Sequence, residues 1–136
     1  PNSSHIDDAY EYVLDAVLST QNYPEAMHII ENMPARTPEI NEAYQRLAYF
    51  RGLELFNDLK YEEAIQFFDK SLEYKKHNEK IKSLALYWKA DALYRQKRFK
   101  RAIDVYKQFL TERGALDLEE YGLAHYNLGY AYFKQK

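Results

Sequence analysis

Reactive side chains in this chain are scattered and form no constellation. His5, His28, His77 and His125 show no metal-ligand spacing, and no HExxH run is present. The absence of cysteine removes thiolate ligands and disulfides together. No glycine-rich run could cradle a phosphate. The acids Asp7-Asp8 and Glu119-Glu120 fall where helix starts favour negative charge. Asn2-Ser3-Ser4 matches a glycosylation sequon, a pattern short enough to arise by chance. We therefore expect no catalytic residues, no metal, no cofactor and no enzyme. Contact chemistry, in contrast, is abundant. Tyrosine occurs 14 times in 136 residues, and each offers a large apolar area, one hydroxyl and only two torsions to freeze on binding. The stretch Arg95-Gln96-Lys97-Arg98-Phe99-Lys100-Arg101 holds five cations in seven residues. It could receive an acidic partner or lipid head groups. It also falls on a turn, where Lys and Arg favour the end of a helix, and we read it as a solvated turn. A net charge of −2 gives no case for nucleic acid, which wants further basic patches along one face. No apolar run reaches the roughly 18 residues that a membrane span needs.

The elements that would position these residues show a period. Tyr23-Pro24-Glu25-Ala26-Met27, Tyr61-Glu62-Glu63-Ala64-Ile65 and Phe99-Lys100-Arg101-Ala102-Ile103 align as aromatic, then Ala, then an aliphatic or Met, at a step of 38 residues each time. Gly52 and Ala90 lie twelve residues before Ala64 and Ala102, and Gly129 lies 39 beyond Ala90. Leu14 holds this place in the first unit, a degeneracy that suits a terminal repeat. Tyr61, Ala64, Ile65, Phe68 and Leu72 make one apolar helical stripe; Tyr44, Leu47, Ala48, Gly52, Leu55 and Leu59 make another. Small residues in mid-stripe let paired helices approach, so Gly52 is predicted to face Ala64. Glycine in a helix costs about 1 kcal/mol relative to alanine, so Gly52 and Gly129 are expected where packing offsets that cost. Thr37 before Pro38 reads as a helix start, as does Asp117 followed by Glu120 as a capping box. Gly114 is expected to end the helix before it, and Tyr23-Pro24 and Met33-Pro34 bracket another. The pattern predicts seven helices, over 5–20, 23–33, 38–58, 61–76, 79–97, 99–113 and 118–136. They form three pairs and a lone first helix in one all-α domain, 1–136, and an apolar fraction of 46% suffices for a continuous core.

These residues resemble the tetratricopeptide repeat (TPR) family, whose motif has a small residue in the first helix, an aromatic near the turn and Ala in the second helix. The best unit is Ala48-Tyr49-Phe50-Arg51-Gly52-Leu53-Glu54-Leu55-Phe56 followed by Tyr61-Glu62-Glu63-Ala64-Ile65. Tyr126-Asn127-Leu128-Gly129-Tyr130-Ala131-Tyr132 looks like a well-matched first helix. The resemblance covers essentially the whole chain and is weakest over 1–35. It implies a right-handed α-solenoid of antiparallel helix pairs, about three and a half repeats long. The period exceeds the usual value of about 34, and the Pro that commonly closes a unit is missing after Leu72 and Leu110. Residues 73–77 and 111–113 are accordingly expected to prolong the second helices by about a turn. Longer repeats of this kind are similar to those of bacterial envelope proteins, such as outer-membrane assembly lipoproteins and Tol–Pal accessory proteins. By that analogy alone, periplasm or cell envelope is favoured over cytoplasm.

In this family the first helices line a concave face that binds an extended or helical peptide. Carried over residue by residue, the resemblance implies a partner-binding groove of Tyr49, Leu53 and Phe56, then Tyr87, Asp91 and Tyr94, then Tyr126, Asn127, Tyr130 and Phe133. Each set has helical spacing and so shares a face. These aromatics either form an open groove, and stay partly exposed, or pack between stacked repeats, and are covered. Trp88 is read as core or convex packing. The carboxylate clamp that grips a peptide C-terminus would need Lys and Asn where Tyr49, Leu53, Tyr87 and Asp91 stand; only Asn127 is of the right type. The function expected is a protein–protein interaction scaffold for a peptide or protein partner. The alternative is a spacer or oligomerisation segment of a longer array, with no ligand on this piece. Pro1, and a helical pattern running to Lys136, lead us to expect a fragment of a longer protein. Leu128, Tyr132 and Tyr126 of helix 118–136 would then lack a cover and either self-associate or fray.

Overall fold

The computed structural model describes residues 22–74 and 78–135, together with Glu11 and Asp15. Those two residues are helical and exposed; the expected helix 5–20, with Leu14, otherwise lies outside the described residues. Among the described residues the secondary structure is entirely helical: α1 (Tyr23–Glu31), α2 (Pro38–Asn57), α3 (Tyr61–Leu72), α4 (Glu79–Arg95), α5 (Phe99–Leu110) and α6 (Glu120–Gln135). Each helix packs on the next, and α2 also touches α4, as α4 does α6. None of these helices is long and apolar enough to cross a membrane.

Helix starts follow local chemistry. The Thr37 hydroxyl accepts from the Ile40 N–H at 3.2 Å, with Pro38 in the first turn of α2. Asn22 caps α1 in the same way, and Asn78 caps α4 through the Ile81 N–H at 3.0 Å. The starts of α3 and α5 carry no side-chain cap; each follows a sharp reversal that occurs twice, 38 residues apart. Leu59 and Lys97 sit in the left-handed region, at φ 64° and 62°. Around them Lys60 N–H donates to Leu55 C=O and Leu59 N–H to Phe56 C=O, all at 2.9 Å. The same pair recurs from Arg98 to Leu93 and from Lys97 to Tyr94, again at 2.9 Å. This is the Schellman closure, built here without the glycine that usually occupies its left-handed position.

Several expected boundaries move, the ends at 33, 58 and 97 by one or two residues, to Glu31, Asn57 and Arg95. The second helices end at Leu72 and Leu110, and residues 73–74 and 111–119 are links, so the long period is not a prolonged helix over the described residues. The link to α6 is a chain of tight turns, with Ala115 N–H on Glu112 C=O and Leu118 N–H on Ala115 C=O. Glu120 is therefore the first residue of α6 and not the third of a capping box. Gly114 is not a left-handed cap, since no described glycine has positive φ. A Cβ there would lie 2.9 Å from Glu79 C=O and 3.0 Å from Ser83 Oγ, so glycine lets the link cross the start of α4.

The core is two linked clusters. Met27, Ile30, Ile40, Tyr44 and Leu47 join α1 to α2, and a larger cluster runs from α2 to α6 through Phe68, Leu93, Tyr106 and Phe109. Gln45, fully buried, ties three helices together: its amide donates to Asn78 C=O at 3.1 Å, and Ser71 Oγ donates to its backbone carbonyl at 2.9 Å. At Gly52 an added Cβ would lie 2.5 Å from the Phe68 ring, so Gly52 makes room for Phe68, one helical turn beyond the expected Ala64. At Gly129 an added Cβ would meet nothing within 4 Å. Among the described residues nothing supplies the packing expected at Gly129.

Candidate binding cleft

The ten residues expected to line a groove divide by environment. Tyr49, Phe56 and Tyr87 are 5%, 7% and 4% exposed and belong to the core between helices, while Leu53 packs partly buried against it. The covering is specific. Rings of Tyr61 and Trp88 meet Phe56 edge-on at 5.2 and 5.1 Å, Tyr49 lies 6.1 Å from Phe68, and Tyr87 lies 5.5 Å from Phe109. Bulky side chains of neighbouring helices thus fill the face that the resemblance left open for Tyr49 and Phe56. Tyr126 and Phe133 are exposed on α6, Tyr130 less so.

Four of the ten come together elsewhere. Tyr87, Asp91, Tyr94 and Asn127 line an open cleft of about 800 Å³ between α4, the α4–α5 turn and α6. Its remaining walls are Tyr61, Trp88, Arg95, Lys97, Phe99 and Lys134. Trp88, expected in core or convex packing, is partly buried and shows one side to this space. Tyr126, Tyr130 and Phe133 do not line it, although the Tyr130 ring lies 6.1 Å from Tyr94. Of these walls, Arg95, Lys97 and Phe99 belong to the basic stretch read from the sequence as a solvated turn, and Tyr61 and Lys134 were not expected at a site. A signal was available for two of them: Tyr61 and Phe99 open the second helices at the same place in the period, directly after the sharp turn that turns them toward the first helix.

Asp91 sets the electrostatics of the cleft floor. It stands where the preceding unit has Leu53, and it is 8% exposed. The Tyr106 hydroxyl donates to it at 3.3 Å, and the Arg95 guanidinium lies 3.5 Å away. Burial pushes its carboxyl above the ordinary range, with Arg95 and the Tyr106 hydrogen bond pulling back. Burial pushes the Tyr87 hydroxyl up to about 12, helped by the negative charges of Asp91 and Glu120 and opposed by Asn127 and Arg95. Arg95 is held firmly protonated, first by the Tyr61 hydroxyl and then by Asp91, and its guanidinium lies 5.2 Å from the Phe56 ring centre. A second, shallower cavity of about 460 Å³ shares the Lys97, Phe99 and Lys134 walls and continues over Arg98, Lys100 and Arg101. The combined surface has aromatic walls, a floor of hydroxyl, amide and carboxyl groups, and a cationic rim. Chemically, such a set is suited to contact and orientation of a ligand by apolar area, hydrogen bonds and charge. Among the described residues no cluster of His, Asp or Glu could hold a metal ion.

Compared with known protein families and with curated proteins, the sequence matches none.

Proposed function

We propose that this chain is a protein-interaction scaffold of tetratricopeptide type, a right-handed α-solenoid, that binds a peptide segment of a partner protein in the cleft between α4, α5 and α6. Support for the repeat comes from the turn at Leu59 recurring at Lys97 with the same pair of hydrogen bonds. The cleft itself carries the binding reading. At about 800 Å³ it lies within the range of roughly 300–1,000 Å³ typical of ligand sites, room for a few side chains of a peptide. Aromatic walls with few torsions to freeze are efficient in such a role. Relative to the groove that the resemblance implied, the site contracts to one end of the molecule and takes Tyr94 and Asn127 as its central residues. Peptides selected on the full chain from a random library test this. They are expected to bind a Tyr94→Ala, Phe99→Ala variant at least about tenfold more weakly, the loss of one ring contact of about 1.4 kcal/mol, with helicity unchanged by circular dichroism. Equal affinity for the variant would remove the cleft from consideration.

A second reading, self-association, has its own observation. Tyr126, Phe133 and Leu123 of α6 are 73%, 67% and 54% exposed, and contiguous apolar surface of this kind marks interfaces. Leu128, expected to join them, is instead packed against the core. Sedimentation of the wild type and of a Leu123→Ser, Tyr126→Ser variant separates the readings: a dimer abolished by the variant supports self-association, and a monomer at every concentration rejects it.

A further inference from the structure

The rim of the cleft is unbalanced in charge. Across the two joined cavities stand six cations, Arg95, Lys97, Arg98, Lys100, Arg101 and Lys134, against the single carboxylate of Asp91. Two of the cations are ion-paired, Arg95 with Asp91 at 3.5 Å and Arg98 with Glu62 at 3.1 Å, and the Lys134 ammonium lies 5.5 Å from the Tyr130 ring centre. Lys97, Lys100, Arg101 and Lys134 make no ion pair with any described residue. Reading this cluster as a favourable ending of the preceding helix does not account for it. Only Arg95 falls in the last turn of α4; Lys100 and Arg101 fall in the first turn of α5, where the helix dipole disfavours positive charge. The other described helices each carry an acid in that turn, Glu25, Glu39, Glu62, Glu79 and Glu120, and α5 carries none. The like charges therefore crowd one another at an unfavourable helix end, beside an aromatic-walled space, in a chain whose net charge is −2.

Resting on the cleft reading above, we propose that the segment bound there is an acidic peptide carrying aromatic or large aliphatic side chains. Its apolar side chains enter between Tyr94, Phe99 and Trp88, and its carboxylates meet Lys97, Lys134 and the start of α5. Charge complementarity of this kind raises the encounter rate and selects the partner more than it adds affinity. The distribution of the cations favours a peptide over nucleic acid or membrane. They are gathered at one turn and the end of α6 and do not run as a stripe along a face, which tracking a phosphate backbone would require.

Fluorescence anisotropy on the full chain tests this, using a short labelled peptide that alternates Glu and Asp with Phe and Leu. A matched peptide has Gln and Asn in place of the acids, and two further probes are a labelled single-stranded DNA oligonucleotide and phosphatidylserine-containing vesicles. The acidic peptide is expected to bind at least about tenfold more tightly than its uncharged match, and more weakly as added salt shortens the screening length below about 8 Å. Lys97→Glu with Lys134→Glu, both at exposed positions, should abolish that preference while leaving the weaker binding of the uncharged match in place. Equal binding of the two peptides, sensitive to Tyr94→Ala and Phe99→Ala, overturns the acidic partner and leaves the cleft reading standing. Acidic-peptide binding that ignores those two substitutions overturns the cleft reading and the inference with it, as does no binding of either peptide. Tighter binding of the oligonucleotide or the vesicles overturns the inference in favour of that ligand.

Discussion

The first helices α2 and α4 and the last helix α6 are built alike and live differently. Tyr49 and Tyr87 are 5% and 4% exposed, while Tyr126, at the corresponding place in α6, is 73% exposed. Gly52 admits the Phe68 ring, whereas the space beside Gly129 is open. The covering helix makes the difference: α3 lies over α2 and α5 over α4, and no described helix takes that place over α6. Burial in a repeat is supplied by the neighbour and is not a property of the residue type. A site read from repeat position alone therefore names some residues that the next unit covers.

The largest expected effect on this contrast is that of alkaline pH. Burial pushes the hydroxyls of Tyr44, Tyr49, Tyr87 and Tyr106 upward, for Tyr87 to about 12. A raised folded-state value means that the folded chain holds the proton more tightly than the unfolded chain. The resulting stabilisation is complete below the ordinary tyrosine value of about 10 and is lost as pH rises through the folded value, at up to about 1.4 kcal/mol per pH unit for each tyrosine. Cooperative loss of helicity should set in above about pH 10 and coincide with phenolate absorbance. Ionisation of every tyrosine, the four covered ones included, while the helix signal stays constant would show that the covered faces are open.

Truncating the ring at Gly52 comes next. Phe68→Ala, at a fully buried site, is expected to cost about 3–5 kcal/mol in urea unfolding. Phe133→Ala, on the exposed face of α6, should stay within about 0.5 kcal/mol. The two glycines make the sharpest pair. Gly52→Ala forces a Cβ against the fully buried Phe68 ring, 2.5 Å away, and should destabilise by about 1–3 kcal/mol. Gly129→Ala meets nothing and should stabilise by up to about 1 kcal/mol through helix propensity alone. Effects of the same sign at both positions would break the comparison. The smallest effect is at the repeated turn. Leu59→Gly and Lys97→Gly should each stabilise by roughly 0.5 kcal/mol, because glycine adopts positive φ without a Cβ penalty. Of the two, only Lys97→Gly should weaken an acidic peptide.

Much of this architecture was legible in residue order. The spacing of 38 from Tyr61 to Phe99 placed the starts of α3 and α5, and Thr37-Pro38 placed the start of α2, because turn and cap chemistry is local. The link was expected over 114–117 and runs over 111–119; Asp117 and Glu120 suggested a capping box, since glutamate at the first position of a helix looks the same in sequence as glutamate at the third. The resemblance implied a groove at Tyr49 and Phe56, and their spacing gives a shared face but not what lies across it. Asp91 was visible as a polar residue at a repeat position held by Leu53, and its partner Tyr106 lies on the paired helix, beyond the reach of spacing. The cations were visible too, but Lys134 joins them only through the packing of α6 on α4 and α5.

Backbone amide NMR of the full chain, titrated with the acidic probe peptide, tests the cleft most directly. The largest shift changes are expected over residues 94–101, in the α4–α5 turn, and at Asn127 and Lys134, with α1 and the covered face of α2 silent. Changes centred on Leu123, Tyr126 and Phe133, with residues 94–101 unmoved, would place binding on the open face of α6 and contradict the cleft.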